Sequence, residues 1–82
     1  MSVGIYYQPE SGAILLPVGA PSSWLAAMER AFECGPPWLL TQEDHPVLLG
    51  LAAGFDAEDQ RQACKTLALQ VRQHPIRVWV DE

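Results

Sequence analysis

Two cysteines, two histidines and ten carboxylates are the side chains of this 82-residue sequence with the most obvious capacity for chemistry. Cys34, His74 and Asp81 can be set out on paper as a thiol nucleophile, a base and an orienting carboxylate. Cys34 directly follows an amphipathic helix, however, and the partial negative charge of a helix C-terminus disfavours the thiolate that a nucleophile needs. Cys64 falls on the apolar stripe of another helix, where a cysteine behaves as a small hydrophobe. The sequence contains no CxxC pair, and in a reducing compartment both cysteines read as free thiols. His45 and His74 each precede a proline and have no further ligand at metal-binding spacing, so no metal site is expected. Gly50 and Gly54 lack both the GxGxxG pattern and the Lys-Ser/Thr of a P-loop, and a phosphate there would meet Asp56, Glu58 and Asp59. No catalytic residue, cofactor or metal ligand is assigned, and the chain reads as a non-enzyme.

The elements that must position these groups follow from periodicity. Val3 to Tyr7 alternates as a strand, and Pro9-Glu10-Ser11-Gly12 is turn chemistry leading to a second strand from Ala13 to Val18. Pro17 removes a ladder donor and puts that strand at an edge. Pro21-Ser22-Ser23 opens a helix, a serine being suited to cap it. Its stripe is Trp24, Leu25, Met28, Ala31 and Phe32, and Gly35-Pro36-Pro37 stops it. Trp38 to Thr41 is a short third strand. Residues 46 to 54 are apolar all round and read as a short buried helix rather than a strand, with Asp44 or His45 as its cap. Asp56 is expected to cap a long helix from Ala57 to Gln73, with Cys64, Leu67, Ala68 and Val71 inward and Leu69 elsewhere. His74-Pro75 breaks it, and Ile76 to Val80 closes the chain as a strand. The expected fold is α+β: a small single-domain sandwich, residues 1–82, ordered ββαβ(α)αβ. One mixed sheet of about four strands is packed by two or three helices.

Composition narrows the function classes. An apolar fraction of 49% with 18% charged residues describes a folded globule. Five Lys and Arg against ten Asp and Glu give a net charge of −5 and no basic stripe, which argues against direct nucleic-acid binding. Pro46 to Phe55 is about half of a bilayer crossing, and Met1-Ser2-Val3-Gly4 does not open a secretory signal, so a cytoplasmic location away from membranes is expected. Arginine predominates over lysine, a coding bias that points to a GC-rich bacterial or phage genome.

What remains is a surplus of apolar and aromatic side chains. If Val3, Ile5, Tyr7, Ile76, Val78 and Val80 face the helices, then Tyr6, Leu15 and Trp79 face the other way. Tyr and Trp are residue types that anchor interfaces. Glu43, Asp44, Glu58 and Asp59 supply an acidic rim that would speed encounter with a basic protein surface. The leading expectation is a non-enzymatic, acidic protein–protein interaction module that docks through Tyr6, Trp79, Glu43, Asp44, Glu58 and Asp59. In size and charge it has the profile of a phage-encoded inhibitor of a host protein. A structural homo-oligomer or complex subunit, its sheet face forming a homodimer, is the alternative. A small enzyme or ligand carrier using Cys34 or His74 is the third.

Overall fold

The sheet is built from the two alternating segments that the sequence marks most clearly. In the computed structural model, which describes residues 4–8 and 12–81, β1 (Gly4–Gln8) lies between β2 (Ile14–Leu16) and β4 (Ile76–Asp81). β3 (Trp38–Leu40) pairs with the far side of β4, giving the order β2-β1-β4-β3. Every pairing is antiparallel, so the expected four-stranded sheet contains no parallel neighbours. Val3 and most of the turn at Pro9-Glu10-Ser11 lie outside the described residues.

Three helices cover one side of this sheet: α1 (Pro21–Phe32), α2 (His45–Gly54) and α3 (Glu58–Val71). A 3-10 turn at Gln42–Asp44 leads into α2. The segment from 45 to 54 is helical, as its length and its proline at the start favour. The core lies between sheet and helices, with Ile5, Tyr7, Trp38, Leu40, Ile76 and Val78 from the strands meeting Trp24, Met28, Leu48, Leu67 and Val71 from the helices. Strand period two therefore sends Ile5, Tyr7, Ile76 and Val78 inward as expected, and Val80 is half-buried. On α1, Trp24 and Met28 are buried while Leu25 and Phe32 pack against the core edge; Ala31, at the end of the expected stripe, is exposed.

The helix starts differ from expectation in their chemistry. Ala20, not a serine, is the N-cap of α1, and the Ser23 hydroxyl donates back to the Ala20 carbonyl at 3.1 Å. Asp56 does not cap α3: Ala57 holds that position and no side chain caps it. Asp44 stands at the start of α2, yet its carboxylate turns back to accept the Thr41 N–H at 2.9 Å in a capping box over the 3-10 turn. Neither α2 nor α3 thus receives the side-chain cap that the local pattern suggested.

Candidate functional site

The side of the sheet away from the helices is where the unspent aromatic surface lies. Antiparallel register sets Leu15 beside Tyr6 and Tyr6 beside Trp79, forming one row across three strands. The Tyr6 and Trp79 rings stack, with centroids 6.0 Å apart and planes inclined by 21°. Gly4 permits this arrangement: a Cβ at that position would come within 2.8 Å of the Tyr6 ring, so the ring lies across bare backbone. The next row comprises Gln8, Arg77 and Leu39, and the row on the other side holds Gly4 and Asp81. The Arg77 guanidinium sits 5.8 Å from the Trp79 ring centroid, a cation–π contact that keeps the charge on this face. Leu15 is 56% exposed and Leu39 72%, both high for leucine, and Tyr6 and Trp79 are half-buried. Beside Trp79 a shallow depression of about 370 Å³ is lined by Gln8, Arg77, Pro36 and Pro37. The prolines form its wall.

The structure brings Tyr6 and Trp79 together and leaves the four acidic residues elsewhere, on the helical side. Glu43 is exposed on the 3-10 turn. Asp44 is engaged in the capping box with Thr41. Glu58 is exposed at the start of α3 and pairs with Arg61 at 2.9 Å. Its carboxyl is held below the usual carboxylate range, first by the hydrogen bond from Gln62 and then by the Arg61 charge. Asp59 accepts the Gly19 N–H and, at 2.9 Å, the Gln60 N–H, which ties the start of α3 to the loop before α1. The carboxylates are neighbours in sequence because helix starts use them, and that use does not gather them around the aromatic row.

Sequence reasoning missed two features. Gln60 is buried, and its amide donates to the Ala20 carbonyl at 3.1 Å and the Ser23 hydroxyl at 2.8 Å. Ser23 and Gln60 border a hollow of about 550 Å³ between α1 and the ends of α2 and α3, floored in part by Gly50 and Gly54. Arg77 was the other omission: alternation already placed it on the face of Trp79, two positions away.

The titratable groups considered for catalysis stand apart. Cys34 is exposed after α1, and its carbonyl accepts the Trp38 indole N–H at 2.9 Å. His74 precedes β4 and Asp81 ends it; at about 3.3 Å per residue, the strand alone holds their ends roughly 17 Å apart. Cys64 is buried, and burial pushes its thiol up to about 11. Among the described residues no group of three or more His, Cys, Asp or Glu side chains converges as metal ligands would, and no helix is long and apolar enough to cross a membrane. Compared with protein-family models, curated proteins and solved structures, the chain matches none.

Proposed function

We propose that this protein is a non-enzymatic interaction module that docks on a protein partner through the open face of its sheet. The observation that carries the reading is the stacked Tyr6–Trp79 pair, flanked by exposed Leu15 and Leu39, on a face that no described helix covers. Aromatic rings already fixed by stacking lose little side-chain entropy on binding, which suits them to anchor a contact. Among the described residues, the charges on this face are one cation, Arg77, and one anion, Asp81. The proposed partner therefore presents an apolar centre with charge of both signs, rather than the wholly basic surface that net charge alone suggests. Action by occupying a partner's surface in the cytoplasm, as a phage-encoded inhibitor of a host protein would, is the form of this reading that asks for no chemistry beyond the face.

The test is Trp79→Ala. Truncation should weaken association about 30-fold, or about 2 kcal/mol, mainly through faster dissociation. Immobilised wild-type and variant chains, exposed to a bacterial lysate and compared by mass spectrometry, report what is lost. The melting temperature is the control. A variant that retains its partners but melts far earlier would make Trp79 part of the core and defeat the reading.

A further inference from the structure

We propose that the occupant of this face is a second copy of the same chain, related by a two-fold axis along the Leu15–Tyr6–Trp79 row. This rests on the face being an interface and puts a second copy where a foreign partner would otherwise sit; the charge pattern names that occupant. On β4, Arg77 and Asp81 lie two positions either side of Trp79 and point to the same side of the sheet. A two-fold axis through Trp79, lying between two facing sheets and perpendicular to β4, reverses the strand direction of the second copy. Arg77 of each copy then stands opposite Asp81 of the other, and the contact is made twice. Among the described residues neither takes part in an ion pair within the chain. The same operation sets the bulky row of Gln8, Arg77 and Leu39 against the lean row of Gly4 and Asp81. Such a surface is complementary to itself, as an isologous interface requires.

Four of the ten carboxylates behind the net charge of −5 oppose this arrangement only weakly. Glu43, Asp44, Glu58 and Asp59 lie with the helical layer, on the far side of the sheet from this face, where salt with a screening length of about 8 Å weakens their repulsion. Area bounds the strength. Two inner strands about five residues deep and two outer strands of three, about 4.8 Å apart, present roughly 260 Å² in projection, so two copies with their side-chain relief bury on the order of 1,000 Å² at most. That lies at the lower bound of specific interfaces, and a reversible dimer with a micromolar dissociation constant is expected.

Sedimentation equilibrium of the full chain from about 5 to 500 µM reads the prediction directly. The wild type should shift from monomer to dimer, and Arg77→Asp and Asp81→Arg should each weaken dimerisation at least about tenfold by facing like charges. Mixing the two variants in equal amounts should restore dimer, because the paired carboxylates of the first variant then face the paired guanidinium groups of the second across the axis. Leu15→Arg, on another strand and on the axis itself, should give monomer at every concentration. A wild type that stays monomeric throughout overturns the proposal, as do single charge variants that dimerise like the wild type or a mixture no tighter than its parts. If the wild type is monomeric while Trp79→Ala still releases a captured protein, the second copy falls and the interaction face stands.

Discussion

Cys64 shows how one side chain's surroundings set its chemistry. It is fully buried, and desolvation moves its thiol from 9.0 to about 11, against a smaller opposing pull from the indole N–H of Trp24. That N–H has no oxygen or nitrogen acceptor, and the sulfur facing it is a weak one. The folded protein holds the thiol proton more tightly than the unfolded chain. Stability from this group is therefore fully present below about pH 9 and is lost as pH rises towards 11. Urea unfolding at pH 8 and pH 11 should show a loss of at most about 3 kcal/mol that Cys64→Ala lacks. Thiol titration at pH 8 supplies an independent reading, with exposed Cys34 reacting at once and Cys64 only after denaturant is added. Rapid reaction of both in the native protein would contradict the burial. Cys64→Ser should cost about 1–3 kcal/mol, since the site offers a hydroxyl little but the indole edge.

At the scale of elements, the join between α3 and the loop before α1 depends on Asp59 and Gln60. Asp59 accepts the Gly19 N–H, and Gln60 donates to Ala20 and Ser23, so two adjacent side chains hold contacts some forty positions back along the chain. A Cβ on Gly19 would collide with the Asp59 carboxylate. Gly19→Ala and Asp59→Ala should each destabilise by about 1–2 kcal/mol, and because they break the same bond the double variant should be little worse than either. Additive losses in urea midpoints would show that they act separately. These long-range ties are the part of the fold that was not legible in the sequence. A glutamine in the first turn of a helix reads as a solvated residue, and nothing local marks its acceptors. Asp44 and Asp59 fall where the sequence starts helices, but their partners were not legible, since a carboxylate chooses among several N–H groups only once the elements are packed. The strands were legible because period two is a local rule: alternation in residues 4–8 and 76–80 already put Tyr6 and Trp79 on one side, and burial of Ile5 and Val78 fixed which side.

For the whole molecule, the arrangement is a two-sided plate, with helices and their carboxylates behind and an aromatic row in front. The sides should be separable by mutation. Neutralising Glu43 and Glu58 to glutamine should leave association through the sheet face within about twofold at physiological salt, since these charges sit on the helical side and are screened by salt. A tenfold change, measured by sedimentation or by retention of a captured protein, would mean that the helical side takes part. The outermost strands carry a last consequence. β2 and β3 are three residues long, and Pro17 follows the one while Pro36 and Pro37 precede the other. A proline offers no N–H to an incoming strand, and three residues give a docking chain too short a ladder to hold. These edges therefore resist sideways extension into ribbons or fibrils, and the proposed pairing of sheet faces closes on itself after one match. Concentrated solutions of this protein should stay clear, their growth ending with the first pairing.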